Sequence, residues 1–215
     1  LVTPIKTAYW NHTPLLLVTP QAANKTMGQG GFQEVEQMNL FKDMVCYQEE
    51  VKDPSRMAEV LNRVIEKAIR GSAPAQINVP RDFWTQVIDI ELPVIIRMER
   101  PSGGKQAINK AAELLSNAKF PVILSGAGVI LADAIDDCKA LAEKLDAPVA
   151  CGYQHNDSFP GSHPLAVGPL GYNGSKAGME IISKADVVLA LGTRLNPFST
   201  LPGLSLIHIS EPTRP

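Results

Sequence analysis

The hydrophobic pattern of the chain switches repeatedly between two periods. Short apolar runs at Pro14–Thr19, Ala75–Val79, Pro121–Ser125, Ala147–Cys151 and Asp186–Leu191 read as buried strands. Between them apolar residues recur at spacings of three and four. Met57, Val60, Leu61, Val64, Ile65 and Ala68 form one such stripe, which predicts a helix with Asp53 as N-cap and Pro54 at its first position. Arg70 and Gly71 are expected to close it, the cation in the last turn and the glycine just past it. Further helices are predicted over Val2–His12, Glu34–Lys42, Gln106–Ala118 and Lys176–Ser183, and on a face made by Ile135, Cys138, Leu141, Ala142 and Leu145. Met44–Val51 reads as a short mixed strand. Gly152–Gly174 reads as a long loop rich in Gly and Pro, a type of segment that often binds something.

Helices and strands alternate throughout, which predicts an α/β fold with parallel sheets and helices on both faces. Leu92–Gly104 breaks the pattern with Pro93, Pro101, Gly103 and Gly104 and reads as a linker. The expected organisation is therefore one unit over residues 1–92, a linker over 93–104, and a second unit over 105–203. Of the last twelve residues, LSLIHISEPTRP, the first eleven match one translated frame of a transposase adapter used to prepare sequencing libraries. Residues 204–215, with His208 and Glu211, are accordingly set aside. With Leu1 in place of an initiating Met, the chain is expected to be an internal fragment whose own sequence ends at Gly203.

Composition narrows the function classes. The 215 residues are 45% hydrophobic and 20% charged with a net charge of −2, which allows a sizeable core. No basic block suggests a nucleic-acid or polyanion binder. No apolar run approaches the roughly 20 residues needed to span a bilayer. Cys46, Cys138 and Cys151 are odd in number and form no CxxC pair, which fits a reduced, cytoplasmic setting.

The stretch with the richest chemistry is Lys25–Glu36, KTMGQGGFQEVE. Gly28, Gly30 and Gly31 follow a buried strand and precede Phe32-Gln33-Glu34. Glycines allow positive φ and close approach of a ligand, and α/β sheets bind ligands outside the carboxyl ends of their strands. On spacing alone an ordinary surface loop is an equal alternative. Gly126-Ala127-Gly128 also lies between strand and helix, but Leu131 stands where a dinucleotide fingerprint has its third glycine, so a tight turn is the simpler account. His155, Asp157 and His163 share a loop without a Cys or Glu to complete a metal set. No metal ligand is assigned. His12 reads as a helix-end histidine. Trp10, Phe83 and Trp84 read as packing or interface aromatics, and Cys46 as a buried, inert strand cysteine.

Several long strings carry a resemblance. AYWNHTPLLLVTPQAANKTMGQGGFQEVEQM (Ala8–Met38), PAQINVPRDFWTQVIDIE (Pro74–Glu91) and the stretch Cys151–Gly203 resemble the thiamine-diphosphate enzymes of the acetolactate-synthase superfamily. Within it the strings are similar to the sulfoacetaldehyde acetyltransferases. The resemblance implies that residues 1–92 are the C-terminal part of a pyrimidine-binding domain and 105–203 an incomplete central domain, that is, two incomplete doubly wound domains. It implies thiamine diphosphate and Mg²⁺ as cofactors, with the activating glutamate upstream of Leu1 and the metal and diphosphate ligands beyond Gly203. It implies conversion of sulfoacetaldehyde and phosphate to acetyl phosphate and sulfite through a carbanion on the cofactor, in a homo-oligomer whose active site lies at a dimer interface. Such a fragment is expected to be inactive alone. Carried over residue by residue, Phe32 and Gln33 lie beside the reacting end of the cofactor, Phe32 as a wall of the substrate pocket and Gln33 as a hydrogen-bonding group. Lys25 is a further candidate anion contact. Gly126-Ala127-Gly128, Asn173-Gly174 and Arg194 echo an FAD site, but Leu195-Asn196-Pro197 departs from the Phe-Asp-Asp-Arg run usual there, which argues for a nucleotide fold without FAD. Acetolactate synthase, or another pyruvate-using relative, and a non-catalytic binding module are the alternatives.

Overall fold

The computed structural model describes residues 1–32, 34–94 and 103–200. Gln33, most of the expected linker and the adapter-like tail lie outside these residues. The chain divides into two compact units, Leu1–Glu99 and Arg100–Pro215, each built on a parallel sheet.

The first unit runs α1 (Val2–Trp10), β1 (Leu15–Gln21), α2 (Gln37–Phe41), β2 (Tyr47–Glu50), α3 (Met57–Gly71) and β3 (Pro74–Pro80). Short 3₁₀ turns occupy Asn24–Thr26, Pro54–Arg56 and Arg81–Phe83. The strand order is β1-β3-β2, with β3 central and both pairings parallel. One face of β3 offers Ala75, Ile77 and Val79, and α3 lays Val60, Val64 and Ala68 on it. Full burial of an aliphatic side chain of the size of Val or Ile stabilises by roughly 1.5–3 kcal/mol. On the other face Leu17 packs with Ile5 of α1 and Phe41 of α2.

Towards the carboxyl ends of the strands that second face turns polar. Thr19, Gln76 and Asn78 are buried there. Each is hydrogen-bonded, as buried polar groups must be to avoid a desolvation cost. Gln48 Nε2 donates to Gln76 Oε1 (2.6 Å), and Gln76 Nε2 donates to Thr19 Oγ1 (2.9 Å). Thr19 Oγ1 donates to Asn78 Oδ1 (2.9 Å), and Asn78 Nδ2 donates to Glu50 Oε2 (2.7 Å).

Local details depart from the sequence pattern for physical reasons. Asp53 accepts from the Ser55 N–H (2.8 Å), but the turn it caps is the 3₁₀ segment that leads into α3. Gly71 is the last residue of α3, and Ser72 takes the left-handed cap position at φ 44°. The glycine is required for room instead: a Cβ there would lie 3.0 Å from Cys46 Sγ. Cys46 is exposed and precedes β2, not buried within a strand. Its sulfur still turns inward, towards the carbonyls of Lys67 (3.6 Å) and Ala73 (3.8 Å), and desolvation pushes the thiol pKa up.

The second unit runs α4 (Lys105–Asn117), β4 (Pro121–Ser125), α5 (Ala127–Leu131), α6 (Ile135–Leu145), β5 (Val149–Gly152), β6 (Ala166–Leu170), α7 (Lys176–Ser183), β7 (Val187–Leu191) and α8 (Pro197–Thr200). The order is β6-β5-β4-β7, all parallel. Ile123, Val149 and Cys151 face Val129 of α5 and Cys138 and Ala142 of α6. Val122, Leu124 and Ala150 face Leu170 and Ile182 on the other side. The segment expected to be one long loop contains β6. Gly168 (φ +86°) and Pro169 interrupt its apolar run, and a register shift at Val149/Ala150 accommodates it beside β5. α4 forms as the period predicts, yet none of its residues is buried. Among the described residues, no helix is long and apolar enough to cross a membrane.

Candidate functional site

β1 and β3 end side by side, with Gln21 opposite Pro80 in register. Both strands run into short turns, and the Asn24 N–H donates to Asp82 Oδ1 (3.1 Å) to tie those turns together. Beyond them the chain forms the glycine loop. Gly28 (φ +86°) and Gly30 (φ +68°) sit in the left-handed region, where a side chain is disfavoured. Glu34 closes the loop. Its Oε1 accepts from the Gly28 N–H (2.7 Å) and its Oε2 from the Gly31 N–H (3.2 Å).

Gln21 anchors the other side. Its buried side chain donates through Nε2 to the Val35 carbonyl (3.0 Å) and accepts the Ala22 N–H at Oε1 (2.8 Å). Gln37 Nε2 donates to the Pro20 carbonyl. Glu34 and Val35 are thus committed to the loop, so α2 begins at Gln37 and not at the expected Glu34.

An open pocket lies within this arrangement, lined among others by Gln21, Ala22, Thr26, Gly31, Phe32 and Arg81. Phe32 is 84% exposed and forms part of its wall. The other expected site residue, Gln33, lies outside the described residues. Lys25 is exposed on the Asn24–Thr26 turn and is not part of the pocket lining. Sequence pattern alone missed Gln21, Thr26 and Arg81. The only available signal was Pro80-Arg81-Asp82 at the end of a strand, a polar break just where a parallel sheet places ligands.

The remaining candidates have structural occupations. Gly126 N–H donates to the Leu191 carbonyl (3.0 Å) and Gly128 N–H to the Gly192 carbonyl (2.8 Å). A Cβ on Gly128 would lie 2.5 Å from Gly192 Cα. These glycines let two turns interlock, and their amides already have protein acceptors. His163 Nε2 meets Glu143 Oε1 (3.1 Å), its Nδ1 accepts the Leu165 N–H (3.2 Å), and its ring stands edge-on to Phe159 at 5.2 Å. His155 and Asp157 lie at the separate Asn156–Ser158 turn. His12 ends α1 at φ 54°. Among the described residues no three His, Cys, Asp or Glu side chains group as a metal site.

Residues 108–212 match the family described as thiamine pyrophosphate enzyme, central domain. The chain is 81% identical over 205 residues to a sulfoacetaldehyde acetyltransferase of Roseovarius nubinhibens; the match covers 95% of this chain and 34% of that protein. It is 33% identical over 223 residues to a probable acetolactate synthase large subunit of Methanocaldococcus jannaschii, covering 97% of this chain and 38% of that protein. The chain therefore spans about a third of the length of the curated relatives it matches. Among solved structures, a thiamine diphosphate-dependent 4-hydroxybenzoylformate decarboxylase from Rhodococcus jostii RHA1 is similar at a TM-score of 0.73 and 26% identity, over 93% of this chain and 40% of that one.

Proposed function

We propose that this chain, whose residues 108–212 match the family described as thiamine pyrophosphate enzyme, central domain, is part of an enzyme converting sulfoacetaldehyde and phosphate to acetyl phosphate and sulfite. The observation that carries this reading is the 81% identity to a sulfoacetaldehyde acetyltransferase over nearly the whole chain. The acetolactate synthase relative stands far behind at 33%.

When bound in the full-length enzyme, thiamine diphosphate would supply an electron sink for the two-carbon unit. The Mg²⁺ and diphosphate ligands are expected in other parts of the full-length enzyme. What this chain contributes is the substrate-facing wall at the carboxyl ends of β1 and β3. Phe32 walls the pocket and keeps water from the reacting carbon. Gln33 hydrogen-bonds the substrate or the incoming phosphate, using both faces of its amide. Glu34 and Gln21 hold the loop that carries them. The working enzyme is a cytoplasmic homo-oligomer with this site at a subunit interface.

The test is sulfite release from sulfoacetaldehyde by the purified full-length enzyme with thiamine diphosphate and Mg²⁺, with and without phosphate. Phosphate-dependent sulfite together with acetyl phosphate is the expected result. Acetolactate from pyruvate in its place would overturn the substrate, and neither product would leave a binding module. Within the active enzyme, Gln33→Ala is expected to lower turnover about 10- to 100-fold, the worth of one hydrogen bond to a charged group. Its thermal midpoint should stay near that of the parent. Parallel loss of activity and folding would remove Gln33 from the site.

A further inference from the structure

We propose that Arg81 is the ligand for a tetrahedral oxyanion in the pocket at the carboxyl ends of β1 and β3. The identity of that oxyanion, the sulfonate of the donor or the phosphate of the acceptor, rests on the reaction proposed above. The pocket itself stands on three independent observations.

The first is position. Arg81 is the first residue after β3, and it lines the same pocket as Thr26, Gly31 and Phe32. The second is unbalanced charge. Arg56, Arg63 and Arg70 each pair with a glutamate on or beside α3. Among the described residues no carboxylate lies within ion-pair distance of Arg81. The acids closest to it along the site are turned elsewhere: Asp82 accepts the Asn24 N–H, and both oxygens of Glu34 are held by Gly28 and Gly31. The third is the state of the other donors. The Thr26 hydroxyl donates to the Ala23 carbonyl (3.3 Å), and Gln21 Nε2 donates to the Val35 carbonyl. Arg81 is therefore the side-chain donor of this lining that has no acceptor within the described protein. A guanidinium offers two parallel N–H groups at the spacing of two oxygens on a sulfonate or phosphate, and it remains charged at any working pH.

The experiment compares Arg81→Gln and Arg81→Lys in the full-length enzyme. KM is measured separately for sulfoacetaldehyde and for phosphate, kcat alongside, and inorganic sulfate is titrated both as an inhibitor and by calorimetry. Arg81→Gln is expected to raise one of the two KM values about tenfold or more, to weaken sulfate binding equally, and to change kcat less. Arg81→Lys should recover part of the loss, because it keeps the charge but not the fork. A shift in the KM for sulfoacetaldehyde assigns the site to the sulfonate, and a shift in the KM for phosphate assigns it to the acceptor. Unchanged KM values and unchanged sulfate binding in Arg81→Gln overturn the proposal. If the parent releases no sulfite, the reaction proposed above fails; the sulfate titration then decides the pocket, loss in Arg81→Gln supporting it and retention refuting it. Should Arg81→Gln fail to fold, sulfate binding that is undiminished in Arg81→Lys, which has lost the fork, overturns the two-oxygen contact.

Discussion

Gly28 and Gly30 sit at positive φ with open space where a Cβ would be, whereas Gly126 and Gly128 carry no such angle and are hemmed in by the turn after β7. The two pairs look alike in sequence, each a Gly-x-Gly after a buried strand. Their physical roles are opposite: one pair shapes a loop around a pocket, and the other removes side chains so that two backbones can touch. Gly128→Ala is expected to cost about 1–3 kcal/mol as overpacking, since both colliding partners are main chain. Urea unfolding of the chain with and without the substitution measures it, and a change under about 0.5 kcal/mol would mean that the turns can part freely. Phe32 was legible because it follows three glycines. Gln21 and Arg81 were not, because a hydrophobic pattern counts a polar residue in or after a strand as noise. Only the fold reveals that Gln21 points at Val35 and that Arg81 shares a pocket with Phe32.

β4 and α7 form with the bounds their sequence pattern predicts, and both have strong local signals. β4 is an unbroken apolar run, and α7 is capped by Ser175, whose hydroxyl accepts the Gly178 N–H (2.9 Å). The elements that were misplaced are those decided by distant partners. β6 exists because β5 offers it a ladder, despite its own Gly and Pro. α2 starts late because Glu34 and Val35 bond backward to the loop and to Gln21. α4 shows the limit of periodicity in another way: the stripe is present, but Ile108 and Leu114 remain more than half exposed at 54% and 56%. Equal-looking isoleucines should therefore respond differently. Ile77→Ala, 1% exposed between β3 and α3, is expected to cost about 2–5 kcal/mol. Ile108→Ala should stay within roughly 0.5 kcal/mol. Denaturant titration of the two variants side by side checks the contrast, and equal losses would show that α4 is packed in solution.

The chain as a whole carries near-balanced charge, so its response to pH comes from individual arrangements and not from net repulsion. The clearest is Arg63 on α3, which forks onto Glu49 (2.8 and 2.9 Å) and reaches Glu59 (2.8 Å). Hydrogen bonds from Arg56 and Arg63 hold the Glu59 carboxyl down to about 2, and Arg63 likewise lowers Glu49. Asp186 is lowered by the N–H groups of Lys119 and Phe120. Each folded-state pKa is depressed, so the stabilisation is complete above the ordinary carboxylate value of 4.5 or 3.8 and is lost as pH falls below it towards the folded pKa. The urea midpoint of the chain is expected to fall from about pH 5 downward. Arg63→Met should flatten part of that decline, and an unaltered slope would discount the α3 network.

The buried polar row across the first sheet has one more property. Every donor in it points the same way, from Gln48 through Gln76, Thr19 and Asn78 to Glu50. A carboxylate has only acceptors to give, so Glu50 sets the sense of the whole series like the last tile in a line of dominoes. No amide in the line can rotate alone without setting two donors, or two acceptors, against each other. Three strands are thereby held in one mutual alignment by a vector and not merely by contacts, and the floor beneath the glycine loop has a single orientation.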